Sequence, residues 1–513
     1  MKPNDKPSLE DFKRLHAMYD SIQKHSKQLF NQDLGSEDFL ENNILFESVI
    51  QKRLHKDYFH AQLKFIRALT SISTLLVNLK LPDKDLKGQA LRLALKNLNK
   101  NKSFLKGVYI PIFTPSGVPY RVVHIPHHHA FPLNSRERVP YMLTLEVVSG
   151  YFESKFFEKS PSSSTKNPLE KSKSKENLGQ QMEYQPNSGE EQDDFKVTKL
   201  VDSYKIINDW SSSKETSPPI MEAAFGATWE EKKEKIRQAS PVGFLPGWDA
   251  ISVIVKSGDD LRQEQLAMQM IQAFYEIFNE EKIPLWLNPY MVLSTSQDAG
   301  LIETVRDAIS IDSLKKSTGV ETLVAYFAKA YGSSDTAKYN QALRNFVESL
   351  AAYSIVCYLL QIKDRHNGNI LIDRQAHIIH IDYGFMLSSS PGNLQFEKAP
   401  FKLPLEFVEL MGGVSGDIFT YFKTLFRSGF VAVRKHYKKI LSLVELMMNA
   451  GGGKMACFQM GEATMLNLKA RFALTISDEE VLSFADNLVN ESAGNWRTDA
   501  YDKYQQLTNN ISQ

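Results

Sequence analysis

The 513-residue sequence has little cysteine, no excess of one charge and no long apolar run. Two cysteines, Cys357 and Cys457, are too few for a disulfide-stapled secreted scaffold or a zinc site, and they fit a reducing compartment. Lysine and arginine total 61 and the acidic residues 60, a net charge of +1, which excludes a general polyanion binder, so no nucleic-acid partner is expected. No apolar run reaches the roughly 18 to 20 residues that span a bilayer. We therefore predict a cytoplasmic protein.

The amino-terminal hundred residues carry apolar positions at helical spacing. One stripe runs from Phe59 to Leu79 at intervals of three and four residues, and a second runs from Leu86 to Leu98. The spacing predicts two packed helices. Because the region has no catalytic constellation, we interpret residues 1–106 as a helical domain that binds partners or serves as a scaffold.

Beyond residue 107 the pattern changes to short strands, and later to helices. Residues 154–218 are rich in Ser, Lys and Glu and have almost nothing to bury, so we predict a flexible, mostly disordered insertion. The predicted strands are 108–112, 120–125, 141–148, 250–256, 290–294 and 300–305, and the clearest predicted helices are 260–278 and 340–362.

Three segments in a fixed order carry residues that suit phosphoryl transfer from a nucleotide. A strand ends at Lys256, residues 364–369 read Asp-Arg-His-Asn-Gly-Asn, and residues 382–384 read Asp-Tyr-Gly. The charge on the transferred group must be matched by cations and metal ions, and the attacking hydroxyl must lose a proton. The strand lysine is a cation, the Asn and Asp side chains offer hard oxygen ligands to Mg²⁺, and an Asp or His can accept the proton.

Each segment alone has a common structural explanation. A lysine at a strand end is usually solvated, and Asp-x-Gly is most often a turn. The three segments together, in this order, predict a nucleotide-dependent kinase. Residues 451–454, Gly-Gly-Gly-Lys, do not make a P-loop, because the spaced first glycine is missing and Met455 stands where the motif has Ser or Thr.

These motifs resemble those of the phosphoinositide kinases. The Asp-Arg-His order of residues 364–366 is theirs, whereas ordinary protein kinases have His-Arg-Asp, and residues 256–264 are similar to their nucleotide-lysine segment. Residues 357–361 and 377–382 look most like the type III phosphatidylinositol 4-kinases of the phosphoinositide 3-/4-kinase family. The resemblance is dense from about residue 219 onward and absent from the insertion.

The resemblance implies an α+β fold, in which a two-lobed, protein-kinase-like catalytic domain follows an α-helical module. The β-rich N-lobe would comprise residues 107–153 and 219–305, and the helical C-lobe residues 306–513. One departure lies in the metal-binding tripeptide: Tyr383 stands where the family more often has Phe, so its hydroxyl needs a hydrogen-bond partner.

The resemblance also implies a nucleotide site. Lys256 would contact the phosphates, with Glu264 and Tyr290 beside it. The further ATP-binding positions would be the phosphate-covering turn Ser240, Pro241, Val242, Gly243 and Phe244, the hinge Ile302, Glu303, Thr304 and Val305, and Ile381. In the hinge, the Glu303 carbonyl and the Val305 amide would pair with adenine.

The reacting groups carry over from the same family. Asn369 and Asp382 would hold Mg²⁺, or Mn²⁺ in its place. Either Asp364 or His366 would be the catalytic base, and the sequence leaves both open. Arg365 would brace the loop.

The acceptor loop, about 382–405, has Lys398 and Lys402 as its basic residues. Each further phosphate on a headgroup adds about 1.5 to 2 negative charges, so two lysines suit the singly charged phosphatidylinositol. The family match implies transfer of the ATP γ-phosphate to its 4-hydroxyl, for signalling in Golgi trafficking.

Two other functions stay open at this point. One is a protein kinase of the phosphoinositide-kinase-related type, and the other is an inactive scaffold that binds small GTPases. The resemblance implies a Rab-family partner on the helical domain and a peripheral position on Golgi or other endomembranes. A final aromatic and basic helix around residues 496–504 either lies at a membrane interface or packs on the C-lobe.

Overall fold

The computed structural model describes residues 46–100, 108–113, 119–133, 138–149, 218–390, 399–450, 454–495, 506 and 511. The predicted insertion, up to residue 217, the acceptor-loop Lys398 and the predicted helix around 496–504 lie outside these residues.

The strands are β1 Tyr109–Phe113, β2 Pro119–His124, β3 Phe131–Pro132, β4 Tyr141–Ser149, β5 Trp248–Ser257, β6 Val292–Ser296, β7 Ala299–Glu303, β8 Ala308–Ser310, β9 Ile370–Asp373 and β10 Ile378–His380. The helices are α1 Phe46–Asn78, α2 Lys84–Lys100, α3 Pro219–Phe225, α4 Trp229–Ala239, α5 Arg262–Glu280, α6 Ile311–Thr318, α7 Leu323–Tyr331, α8 Ala337–Leu360, α9 Leu405–Leu410, α10 Asp417–Lys435, α11 Tyr437–Asn449, α12 Glu462–Arg471 and α13 Asp478–Ser492.

An antiparallel sheet of seven strands forms the first half of the fold. Its order is β1-β2-β4-β5-β7-β6, and β3 pairs with β4. Strands β4 and β5 pair from Tyr141 opposite Val255 to Val148 opposite Trp248, although the insertion separates them in the chain. This pairing fixes which loops lie near the end of β5 that carries the lysine.

One face of the sheet is covered by the two amino-terminal helices. Leu143, Leu145 and Val147 alternate along β4 and are fully buried, in one hydrophobic cluster with residues of α1 and α2. The Tyr141 hydroxyl also donates a 2.8 Å hydrogen bond to the Leu69 carbonyl of α1. The predicted stripes, from Ile66 to Leu75 and from Leu91 to Leu98, therefore belong to the faces that pack on the sheet.

The second half is mainly helical and has its own core. Helix α8 is buried over most of its length and packs against α10, while α10 and α11 also contact α5. Strands β8, β9 and β10 form a separate antiparallel sheet. A second hydrophobic cluster includes residues of α5, α8 and α10, so helix α5 links the sheet half to the helical half.

The predicted fold class is confirmed: the chain combines helix and sheet in a two-lobed, kinase-like arrangement. The predicted helix 340–362 is α8, and the strand expected at 290–294 begins two residues later, at Val292. The short strands β3 and β8 went unpredicted, because two or three residues carry no measurable periodicity. In the part of the chain that the structure describes, no helix has the length and apolarity needed to cross a bilayer.

Candidate active site

Lys256 is held at the end of β5 by a buried carboxylate on helix α5. Its Nζ atom lies 3.7 Å from Oε2 of Glu264, and the Tyr290 hydroxyl donates a 3.1 Å hydrogen bond to Oε1 of the same carboxylate. Glu264 and Tyr290 are buried, whereas the Lys256 side chain is 23% exposed. The fold thus brings the predicted trio together, with the ammonium as its solvent-facing member.

The charges in this trio depend on each other. Burial opposes the charged form of Lys256, but the carboxylates of Glu264, Asp382 and Asp259 outweigh it and raise the pKa of the ammonium. Burial raises the pKa of Glu264, and Lys256 opposes that shift. Removing either partner would leave a desolvated charge without compensation.

Asn369 and Asp382 flank the β9–β10 hairpin. Asn369 immediately precedes β9, and Asp382 follows the end of β10 by two residues. The Ile381 amide donates a 3.0 Å hydrogen bond to the Asn369 carbonyl, which joins the two loops. Nδ2 of Asn369 donates a 3.0 Å hydrogen bond to the Asp364 carbonyl. The Oδ1 atom of Asn369 is therefore the side-chain atom that can bind a metal ion.

This donor set fits Mg²⁺. A carboxylate and an amide oxygen are hard ligands, and Mg²⁺ usually takes one or two protein carboxylates, several waters and substrate phosphate oxygens. Within the described residues, no group of three His, Cys, Asp or Glu side chains could hold a metal by itself. Waters and substrate phosphate oxygens would complete the coordination.

Arg365 braces the two loops, as the sequence suggested. Its buried guanidinium donates to the carbonyl oxygens of Lys363 at 3.1 Å, Ile381 at 2.7 Å and Asp382. Asp364 and Asp382 both have positive φ angles, 61° and 60°. Such left-handed positions favour Gly, Asn and Asp over other residues.

His366 is tied to its own loop. The Gly368 amide donates a 3.1 Å hydrogen bond to Nδ1, which assigns the proton of the neutral ring to Nε2. Nε2 lies 3.9 Å from Oδ1 of Asp364. Burial lowers the pKa of His366, and the Asp364 carboxylate offsets part of this shift.

The hinge backbone lies beside the middle of β5. The Thr304 amide donates to the Ser252 carbonyl at 3.1 Å, and the Ser252 hydroxyl donates to Oγ1 of Thr304 at 3.0 Å. Glu303 and Val305 flank Thr304 in this contact. Its other member, Ser252, lies on β5, four residues before Lys256. Hinge and lysine therefore line up along one strand.

The turn expected to cover the phosphates is not at this end of the sheet. Ser240–Phe244 precedes Trp248, whereas Lys256 is near the other end of β5, about 26 Å away at 3.3 Å per residue. The Ser240 hydroxyl donates to the buried carboxylate of Glu146 rather than facing the cavity. The prediction rested on the family resemblance, and the pairing of β4 with β5 leaves this turn at the far end.

Residues 138–141 lie near Lys256 instead. Tyr141, which begins β4, is opposite Val255. The side chain of Arg138 packs over Gly258, where its Nε atom would be 2.6 Å from an added Cβ. Gly258 has a φ of 90°, a left-handed backbone that favours glycine.

A cavity of about 550 Å³ collects the charged residues of the site. It includes Lys256, Glu264 and Asp382, but not the hinge residues. It is lined by Lys256, Asp259, Asp260, Leu261, Gln263, Glu264, Asp382, Gly384, Lys454, Met455 and Ala456. Lys454, Met455 and Ala456 were not among the predicted site residues, because the exclusion of a P-loop at Gly451–Lys454 left that segment without a role.

Two further predictions have clear outcomes in the structure. The Tyr383 hydroxyl is buried and donates a 2.9 Å hydrogen bond to the His380 carbonyl, so the extra polar group is satisfied. Lys402, expected to face the acceptor, is only 9% exposed. The side chain of Lys402 is therefore mostly covered by the fold.

Comparison with known proteins gives the same assignment as the site. The model of the family "Phosphatidylinositol 3- and 4-kinase" matches residues 250–452. A phosphatidylinositol 4-kinase of Dictyostelium discoideum is 49% identical over 310 residues, 60% of this chain and 25% of that protein. Phosphatidylinositol 4-kinase beta of Rattus norvegicus and of Homo sapiens is 37% identical over 504 residues, 87% of this chain and 60% of theirs.

The chain thus spans a quarter to three fifths of the length of these relatives. The matched region contains the lysine strand, the Asp-Arg-His loop and the Asp-Tyr-Gly loop. Lys256 and Asp382 line the cavity, and the Asp-Arg-His loop leads into the β9–β10 hairpin. Residues 250–452 form a kinase domain of the phosphatidylinositol 3- and 4-kinase family.

Proposed function

We propose that this chain is a lipid kinase that transfers the γ-phosphate of ATP to the 4-hydroxyl of phosphatidylinositol. The observation that carries the proposal is the cavity in which the Lys256–Glu264 pair faces Asp382. The names of the relatives support the lipid and the position of transfer. Phosphoryl transfer depends mainly on positioning and on charge stabilisation, which is what these residues can supply.

ATP would bind along strand β5. Adenine would pair with the Glu303 carbonyl and the Val305 amide, between the apolar side chains of Ile302 and Ile381. The phosphates would then extend toward Lys256, which Glu264 and Tyr290 hold in place. We propose residues 138–140, with the side chain of Arg138, as the segment covering the phosphates instead of Ser240–Phe244.

Asp382 and Asn369 would hold a divalent cation, Mg²⁺ or Mn²⁺. When bound, that ion neutralises charge on the phosphate oxygens and orients them for in-line transfer. The chain's own contribution is to fix these two ligands: Arg365 and the Ile381–Asn369 hydrogen bond lock their loops together.

We propose Asp364 as the group that accepts the proton of the inositol hydroxyl. The Gly368 amide occupies Nδ1 of His366, and the neutral ring then carries its proton on Nε2, so neither nitrogen offers an open lone pair. His366 would orient Asp364 and support its charge. Both residues lie in the same loop, so their position in the chain does not distinguish them. The choice rests on the hydrogen-bond geometry of His366.

Partner and location are further parts of the proposal. A Rab-family small GTPase would bind the helical region that packs on the sheet through α1 and α2. The enzyme would act in the cytoplasm as a peripheral protein on Golgi or other endomembranes. A pull-down with a panel of nucleotide-loaded Rab proteins, using variants of exposed α2 residues, tests the partner directly.

The decisive experiment supplies Mg-ATP and phosphatidylinositol vesicles and separates the headgroup isomers of the product. We expect phosphatidylinositol 4-phosphate. A 3-phosphate product would refute the position of transfer, and robust peptide phosphorylation without a lipid product would favour the protein-kinase alternative. Binding of a small GTPase without any turnover would favour the scaffold.

A further inference from the structure

The segment after α11 enters the cavity from the helical half of the fold. Lys454, Met455 and Ala456 line it beside Lys256 and Asp382, although they lie almost two hundred residues beyond the strand lysine. Met455 is buried and anchors the segment, whereas Lys454 is exposed. The segment thus presents one cationic side chain to the site.

A buried glutamine ties this segment to the metal-binding loop. The Cys457 amide donates a 3.1 Å hydrogen bond to Oε1 of Gln263. Nε2 of Gln263 donates to the carbonyls of Tyr383 at 2.8 Å and Gly384 at 2.7 Å. The Ser388 hydroxyl donates to the Cys457 carbonyl at 2.6 Å. The position of Lys454 relative to Asp382 is therefore set by the fold.

The charges that line the cavity are mostly negative, and Lys454 is one of its two lysines. Four carboxylates line it, those of Asp259, Asp260, Glu264 and Asp382, against two lysines. Glu264 faces Lys256. Asp260 pairs at 2.6 Å with Arg262, which does not line the cavity. Lys454 has no ion pair with any residue that the structure describes. An acidic cavity that takes an anionic substrate needs such a cation.

We infer that Lys454 is a substrate-binding residue that contacts phosphate oxygens in this cavity. The inference rests on the proposed function. Two sources share the chemistry: the terminal phosphate of the nucleotide and a phosphate of the inositol headgroup. Both would approach the Asp382 end of the cavity, where transfer takes place.

The test compares Lys454→Ala and Lys454→Arg with Lys438→Ala, a matched loss of one exposed charge on α11 outside the cavity. The nucleotide arm measures the affinities of ATP and ADP. The headgroup arm measures inhibition by glycerophosphoinositol and its 4-phosphate. Thermal unfolding monitors the fold, which an exposed side chain should leave unchanged.

We expect Lys454→Ala to weaken one of these ligands by about tenfold, the loss typical of a charge-assisted hydrogen bond, and Lys454→Arg to recover most of it. A loss for ATP but not ADP identifies the nucleotide's terminal phosphate, and a loss for both headgroup inhibitors without a loss for ATP identifies the phosphodiester of the lipid headgroup. Both outcomes support the inference.

Equal behaviour of Lys454→Ala and Lys438→Ala in both arms, with an active wild-type enzyme, would overturn this inference alone. A wild-type chain that binds neither ATP nor the headgroup would overturn the proposed function and this inference with it.

Discussion

Glu264 accepts a hydrogen bond from Tyr290 on one carboxylate oxygen while its other oxygen faces the Lys256 ammonium at 3.7 Å. One buried carboxylate therefore connects the lysine strand, helix α5 and the segment that leads into β6. The arrangement keeps Lys256 charged and directed into the cavity. It also makes Glu264 a position where a small chemical change has a specific effect.

Glu264→Gln keeps the acceptor for Tyr290 but removes the charge that faces Lys256. The lost charged interaction, about 1.5 to 3 kcal/mol, corresponds to a fall in kcat/KM of about 10- to 100-fold. Steady-state kinetics with ATP and phosphatidylinositol measure it. Glu276→Gln, an exposed carboxylate on the same helix, is the control, and equal losses in the two variants would contradict the role of Glu264.

Asp382→Asn should abolish nearly all turnover while the protein stays folded. Asn tolerates the left-handed backbone at φ 60°, but it replaces a charged metal ligand with a neutral one. Asp382→Ala should lose turnover and also stability, since Ala lacks that tolerance. Lipid-kinase assays with thermal unfolding distinguish the two effects, and normal turnover of Asp382→Asn would rule out the metal role.

Variants of Asp364 and His366, measured as pH–rate profiles, show which of the two residues is the catalytic base. If Asp364 is the base, Asp364→Asn should lose about 10²- to 10⁴-fold in turnover, with its fold preserved because Asn suits the φ of 61°, and His366→Gln should keep more activity.

If His366 is the base instead, Asp364→Asn should stay active. Burial lowers the pKa of His366 and the Asp364 carboxylate raises it, so removing that charge lowers it further. His366 would then stay neutral to more acidic pH, and the acid limb of the profile would move to lower pH. An active Asp364→Asn variant with that shift would refute our assignment.

Arg138→Ala and Ser240→Ala distinguish the two candidate phosphate-covering segments. Arg138 is exposed and packs over Gly258 beside Lys256, so its loss should raise the KM for ATP several-fold. Ser240 donates to buried Glu146 at the far end of β5. Its loss should lower stability by about 1 kcal/mol without changing that KM. The reverse pattern would return the role to Ser240–Phe244.

Tyr383→Phe tests whether the hydroxyl in the Asp-Tyr-Gly tripeptide serves the fold or the chemistry. The variant removes the 2.9 Å hydrogen bond to the His380 carbonyl, at a cost of about 1 kcal/mol in the free energy of unfolding. Turnover should stay close to that of the wild type. Chemical denaturation and the lipid-kinase assay measure both, and a large loss of turnover at unchanged stability would indicate a catalytic role.

Local patterns in the sequence predicted most of the elements and the identity of the reacting groups. Helix α8 and strand β5 follow from runs of apolar residues, Lys256 and Asp382 follow from motif order, and Glu264 follows from the family resemblance. Which segments lie near these groups depended on pairing between distant parts of the chain. The family resemblance assigned the turn Ser240–Phe244 to the phosphates, but the turn precedes the end of β5 opposite Lys256. Lys402 of the expected acceptor loop is buried.

The sequence by itself determined the chemistry: a strand lysine, an Asp-Arg-His loop and an Asp-Tyr-Gly loop, in an order and with flanking patterns typical of phosphoinositide kinases. Only the tertiary structure decided which segments surround that chemistry. The β4–β5 register brings Arg138, rather than Ser240, toward Lys256, and the Gln263 hydrogen bonds bring Lys454 to the cavity. Such contacts join residues far apart in the chain, and local periodicity carries no information about them, because it records which face of an element is buried but not which neighbour covers it.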